Sequence, residues 1–167
     1  MDILEVIRSR RTIRKYSDEP LAPDIVTKLL EAGRWAPSAR NNQPWKFIVI
    51  NNKDIIRDLA SVIQTGKYIA DVSLAIAVVV DPEARRFLES GSAAIYGVML
   101  EAHALGLGTG WIGCYDGAQE EPAKKILGIP DEERLQAIIT VGYPSDIPEK
   151  TRKDIEEITF YNKYGNK

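Results

Sequence analysis

Apolar positions along the chain fall first at helical spacing and then in short continuous runs, and the two patterns alternate. Ile3, Leu4 and Ile7 mark a short amphipathic helix over residues 3–8. Pro23-Asp24 opens a second helix with Ile25, Val26, Leu29, Leu30 and Ala32 on its apolar side, ending before Pro37. KFIVIN, residues 46–51, is a short strand rich in β-branched side chains, and residues 54–63 read as helix. SLAIAVVV, residues 73–80, is a buried strand closed by Asp81-Pro82. Residues 90–105 make the longest helix; with almost no polar face, it is expected to be buried. A strand at 111–115, a short helix at 120–127 stopped by Gly128, and a fourth buried strand, LQAIITVG at 135–142, follow.

These elements run α-α-β-α-β-α-β-α-β. They predict one α+β domain over 1–167, with helices covering a mainly four-stranded sheet. Residues 144–167 are charged, carry Pro144 and Pro148, and read as a C-terminal arm. Small residues on the long helix (Ala93, Ala94, Gly97, Ala102, Ala104) allow another helix to approach closely. That helix belongs either to the same chain or to a twin in a homodimer, and spacing alone leaves both open.

Composition narrows the function classes. A chain of 167 residues can bury a sizeable core without staples. A net charge of -2 argues against a general nucleic-acid or acidic-membrane binder. No apolar run spans a bilayer. The N-terminus has its charges after its apolar residues, the reverse of a secretory signal. The single cysteine excludes internal disulfides. A cytoplasmic protein is expected.

Three stretches carry candidate chemistry. RSRRTIRK, residues 8–15, sets Arg8, Arg10, Arg11, Arg14 and Lys15 around Thr12 with no acid among them. Guanidinium forks beside a hydroxyl suit a phosphate. A solvated charged face is the plain alternative, and RNA binding lacks the aromatic interleaving it would need. APSARNNQPW, residues 36–45, packs amides and prolines into a connector longer than most. GTGWIG, residues 108–113, matches a dinucleotide pattern but follows a helix and runs on as strand, the wrong context for it. Its glycines instead leave backbone N–H groups open to a flat ligand edge. A helix cap at Gly106 explains Gly106 and Gly108 but not Gly113. His103 is the only histidine, so no multi-histidine metal site exists, and it reads as a satisfied core or interface residue. Cys114 has no evident base and reads as an inert buried thiol. An enzyme built this way relies on a cofactor for its chemistry.

The order RSRRTIRKY, LLEAGRWAPSARNNQPWKFIVI, ALGLGTGWIG, a GIP turn, LQAIITVGYP and then K-x-R resembles the nitroreductase-like FMN-dependent flavoproteins over nearly the whole chain. The resemblance implies a mainly antiparallel sheet flanked by helices, to which the partner can add a strand. It also implies a domain-swapped homodimer with FMN at the subunit interface. It assigns the flavin phosphate and ring edge to Arg10, Arg11, Thr12 and Arg14. It assigns Pro37, Ser38, Ala39, Asn41 and Gln43 to the partner's flavin. Trp111, Ile112 and Gly113 supply backbone to the ring, Lys150 and Arg152 complete the phosphate pocket, and Gln64 or Lys67 contacts the ring. No side chain is expected to be catalytic, because the flavin carries the reaction. Thr12 stands where serine is common, and Ala39 replaces a frequent second serine. The implied activity is NAD(P)H-driven, ping-pong reduction of nitroaromatics or quinones. Alternatives are a flavin-holding protein without turnover and a specialised flavin reaction such as reductive dehalogenation. The near-direct run from Tyr115 to the helix at Glu120 implies an open substrate site.

Overall fold

The structure, a computed structural model, describes residues 2–166, so residues 1 and 167 of the expected 1–167 unit lie outside the described residues. β2 (Leu74–Val80) is buried along its whole length because helices cover both faces of the sheet. Leu74, Ile76, Val78 and Val80 join one apolar cluster with α2 (Pro23–Arg34) and α4 (Phe87–Ala104). Ala75, Ala77 and Val79 join the opposite cluster with α3 (Lys53–Val62) and α5 (Glu120–Leu127). Burying a Leu or Ile is worth about 1.5–3 kcal/mol, and a one-residue slip would move every side chain of β2 to the wrong cluster.

The sheet has four strands in the order β1-β2-β4-β3, with β1 at Trp45–Ile50, β3 at Gly108–Gly113 and β4 at Arg134–Gly142. All three pairings are antiparallel. β2 and β4 are internal; β1 and β3 are edges. A bulge interrupts β4: Val78 lies opposite Ala137 but Val79 opposite Leu135, so Gln136 has no partner across the ladder. The Gln136 amide instead donates to Leu88 O and Ser92 Oγ of α4, both at 3.0 Å. Gly91 leaves room for it: a Cβ there would sit 1.9 Å from Gln136 Oε1 and displace the amide.

Several boundaries differ from expectation. α4 starts at Phe87, three residues early, after Arg86 turns left-handed (φ 58°). β3 begins at Gly108, before the apolar signal at Trp111. Gly97 of α4 is used within the chain: its Cα faces Ala32 O of α2, where a Cβ would approach to 2.8 Å. Ala94 and Ala102 are buried, while Ala93 and Ala104 stay toward the open side. The outward stripe of α4 is therefore Glu89, Ala93, Tyr96, Leu100 and His103, spaced for a helix contact. The apolar stripe of α1 (Ile3–Ser9) also points outward: Ile3 is 77% exposed, and only Val6 is buried. Residues 144–166 are largely exposed and contain one short helix, α6 (Ile155–Ile158). No helix among the described residues is long and apolar enough to cross a membrane.

Candidate functional site

The basic stretch is pinned to the sheet by one apolar residue. Ile13 is buried over the Cα of Gly108, and its N–H donates to Thr109 O at 2.8 Å. Thr12 forms a parallel bridge with Thr109, on the edge of β3 away from β4. Because the bridge is parallel, Arg10 and Arg11 lie toward the start of β3 and Arg14 toward Trp111. Arg10 Nε and Nη1 are buried with no hydrogen-bond partner, and its guanidinium carbon lies 6.0 Å from the Tyr96 ring centroid. A buried unpaired donor costs about 1–3 kcal/mol, more when charged, and an anion placed against it would offset that cost. Arg11 Nη1 donates to Arg8 O (2.6 Å) and Arg10 O (2.9 Å), which orders the backbone around it. Arg14 is exposed and stands 5.9 Å from the Tyr68 ring centroid.

The start of the C-terminal segment returns to this stretch. Ser145 N–H donates to Lys15 O (3.1 Å), Tyr16 bridges Pro144, and Lys15 pairs with Asp146 at 3.0 Å. The result is an open cleft of about 760 Å³ between Ser9 and Arg11 on one wall and Ile147–Thr151 on the other. Lys150 thus joins the arginines. Arg152 does not line that cleft, and its Nη1 donates to Thr151 O.

β3 presents backbone on the same edge. The Thr109 carbonyl points to Ile13, whereas the Cys114 N–H points to Gln136 of β4. Alternation therefore places the peptide groups of Trp111 and Gly113 on the open edge, and that of Ile112 toward β4. Gln119 Nε2 donates to Gly113 O at 2.6 Å, which leaves the Gly113 N–H as the available donor. A Cβ at Gly113 would meet nothing within 4 Å, so the protein itself does not demand glycine there. Gly110 is different: a Cβ would strike Tyr68 and the Thr140 hydroxyl. Residues 66–68 cross this strand on the face opposite α4, with Gly66 against Ile112. Gln64 and Lys67 are exposed beside that crossing.

The amide-rich connector lies elsewhere. Ala39 N–H donates to Ser90 Oγ and the Asn42 amide to Arg85 O, so the loop sits at the N-terminal end of α4. Arg40, Asn41 and Gln43 are all left-handed, with φ of 54°, 59° and 44°. Non-glycine residues rarely adopt that conformation, and strain of this kind gathers at functional sites. Gln43 N–H bonds Ser38 Oγ, and its side-chain amide bonds Asn41, which holds the turn. Pro37 leads into it, and Trp45 then starts β1 and packs in the core. Ser90 and His103 are about 20 Å apart along α4 at 1.5 Å per residue. One chain therefore does not bring the 37–43 loop beside its own arginines.

Two further residues belong to the basic end. His103 Nε2 meets Ser9 Oγ at 2.7 Å, and Tyr96 lies under Arg10. Burial, then Arg10 and Arg11, hold the His103 imidazole below its ordinary pKa. Burial, reinforced by Glu120, pushes the Cys114 thiol up to about 12, which removes it as a nucleophile. Tyr68 and Tyr96 gave no local sequence signal, since each matters only through a contact remote in sequence.

The sequence model of the nitroreductase family matches residues 7–89 and 69–143. A protein of Archaeoglobus fulgidus, provisionally named an NADH dehydrogenase/NAD(P)H nitroreductase, is 33% identical over 151 residues, covering 87% of each chain. A crystal structure from Parabacteroides distasonis under the same provisional name superposes with a TM-score of 0.92 at 29% identity, covering 97% of this chain and 98% of that one. A provisionally named nitroreductase of Desulfovibrio desulfuricans, solved in complex with FMN, superposes with a TM-score of 0.84 at 32% identity and 98% coverage of both chains.

Proposed function

The chain belongs to the nitroreductase family, and from that premise we propose that it is an FMN-dependent oxidoreductase driven by NAD(P)H. The observation that carries the reading is Arg10, whose two buried donors have no partner in the protein. A phosphate monoester meets that need, with Arg11, Thr12 and Lys150 around it. The open peptide groups of Trp111 and Gly113 fit the edge of a planar ring, and Arg14 lies beside them. When bound, FMN supplies two-electron transfer from NAD(P)H to an acceptor such as a nitroaromatic or quinone. The chain's own part is to bind, orient and polarise. Arg14 and the Gly113 N–H would favour negative charge on a ring held against them. Only residues 116–119 separate Tyr115 from α5, which favours an open edge there. Donor and acceptor then use one open face in turn, which gives ping-pong kinetics.

The reading also needs a second copy. Two α4 helices crossing antiparallel at their middles would set the Ser90 end of one beside the His103 end of the other. The 37–43 loop would then reach the partner's basic end, where Pro37, Ser38, Ala39, Asn41 and Gln43 meet the flavin. The exposed apolar stripes of α1 and α4 favour this homodimer. A cytoplasmic setting suits a cofactor-dependent reductase with one buried thiol.

The test is the visible spectrum of the purified protein, recorded without air before and after NADH or NADPH. A flavin band that bleaches supports the reductase, and the faster donor names the preferred nicotinamide. A band that stays oxidised with both points to a flavin holder. A colourless protein that takes up no FMN overturns the proposal.

Gly113→Val tests the ring placement. The free protein has open space around a Cβ at this position, so the thermal midpoint without flavin should change little. FMN affinity should fall at least ~10-fold, about 1.4 kcal/mol, because the added methyls occupy the ring edge. Unchanged affinity would move the ring away from β3.

A further inference from the structure

His103 sits at the last turn of α4 and joins the basic cleft through Ser9. The Ser9 hydroxyl donates to Glu5 O at 2.7 Å, so it accepts from the Nε2–H of His103. That fixes the neutral tautomer and leaves Nδ1 as the atom that can take a proton. Ser9 and Arg11 also line the cleft, while Arg10 holds two buried donors without partners. The charges bearing on the ring are those of Arg10 and Arg11, from the stretch after α1. α1 contributes the Ser9 hydroxyl, and Glu101 of α4 acts on Lys28 of α2. Among the described residues of one chain, those two arginines are the charges that act on the imidazole and no carboxylate is among them; the antiparallel dimer would add the partner's Glu89, which is present with and without the ligand.

We propose that His103 is a proton-linked member of the phosphate site, taking a proton on Nδ1 when a phosphate dianion binds against Arg10 and Arg11. This rests on the reading of that cleft as the FMN phosphate site. Anion binding and protonation are linked here. In the free protein, burial and two guanidinium charges disfavour the imidazolium. A dianion between the arginines cancels their repulsion and adds attraction, so the ring gains a proton as the ligand binds. Proton uptake on binding means affinity that falls as pH rises through the window between the ring's free and bound pKa values. The free pKa lies below the ordinary 6.5, so the window opens under neutrality and extends upward as far as the dianion shifts the ring.

The experiment titrates the cofactor-free full chain with FMN and with riboflavin from pH 5.5 to 8.5, reading flavin fluorescence. Proton uptake is measured by calorimetry in buffers of different ionisation enthalpy. His103→Gln is the comparison, since its amide N–H still serves Ser9 without titrating. The second ionisation of a phosphate monoester, near pH ~6, is common to both proteins and cancels in the comparison. The expected result is that wild-type FMN affinity falls ~3–10-fold more steeply toward high pH than that of H103Q, one pKa unit of coupling being tenfold. The wild type should also take up a proton that H103Q does not, and riboflavin should show neither difference. Matching FMN profiles and proton counts in the two proteins would overturn the role of His103 while leaving the cleft assignment intact. Riboflavin binding as tightly as FMN would overturn the cleft assignment itself, and the inference with it.

Discussion

Arg10→Ala should purify without FMN and should bind added FMN about 100- to 10,000-fold more weakly than the wild type. Charge-assisted hydrogen bonds contribute about 1.5–3 kcal/mol each, and Arg10 offers Nε and Nη1 to one phosphate. The same substitution should leave the cofactor-free protein no less stable, and up to about 1 kcal/mol more stable, because it removes two buried donors that the fold leaves unpaired. A residue kept for structure alone would behave in the opposite way, losing stability with no effect on cofactor. Arg10→Lys should fall between, since an ammonium restores charge but not the guanidinium fork. Flavin absorbance per protein and thermal melting with and without FMN check all three statements. An Arg10→Ala protein that retains a full complement of FMN would place the phosphate elsewhere.

How much of this was legible in the sequence depends on whether each signal was local. β2, α5 and β4 were readable because their apolar runs and caps are self-contained; Gly128, left-handed at φ 66°, ends α5 where expected. β3 was read late because Gly108, Thr109 and Gly110 carry no apolar pattern; they are strand only because β4 on one side and Thr12 on the other pair with them. The periodicity of α1 was visible, but not its direction. An amphipathic stripe announces that something covers it, and here Ile3, Leu4 and Ile7 stay 77%, 51% and 42% exposed. The candidate site divides in the same way. The arginines and the amides could be singled out by type. Their placement at opposite ends of α4 could not, because it follows from the helix length and from two hydrogen bonds, one to its first turn and one to Arg85 just before it. His103 reads in the sequence as a satisfied core or interface histidine, and the structure gives it a partner in Ser9. Its partner Ser9 lies 94 positions away, a contact that no local pattern encodes.

Glu120→Ala should destabilise the fold by about 2–4 kcal/mol, at the lower side of what breaking a fully buried ion pair costs, because Arg134 keeps 27% of its side chain exposed. The carboxylate is buried at the start of α5. It accepts two bonds from Arg134 (2.7 and 2.8 Å), one from Leu135 N–H (3.2 Å) and one from Asp116 N–H (2.8 Å). Burial alone would raise its pKa; those four bonds outweigh it and hold the carboxyl below its ordinary 4.5. The sign follows. A depressed carboxylate stabilises the fold above its unfolded pKa and loses that contribution as pH falls through the folded value. Glu120→Gln should therefore be less stable than the wild type at pH 7, and the gap should narrow once pH falls below the ordinary 4.5. Urea unfolding across that range measures both effects; a gap that stays constant with pH would assign the loss to packing rather than to charge. The network also reaches the site. Asp116, left-handed at φ 54°, turns the chain directly after β3, and Glu120 fixes that turn. Gln119, the residue before it, holds the Gly113 carbonyl. Loosening this anchor should let the open end of β3 fray, so Glu120→Ala should also weaken FMN binding, by less than Arg10→Ala does. Destabilisation with fully retained FMN affinity would show that the ring relies on Trp111 and on the partner's loop rather than on Gly113.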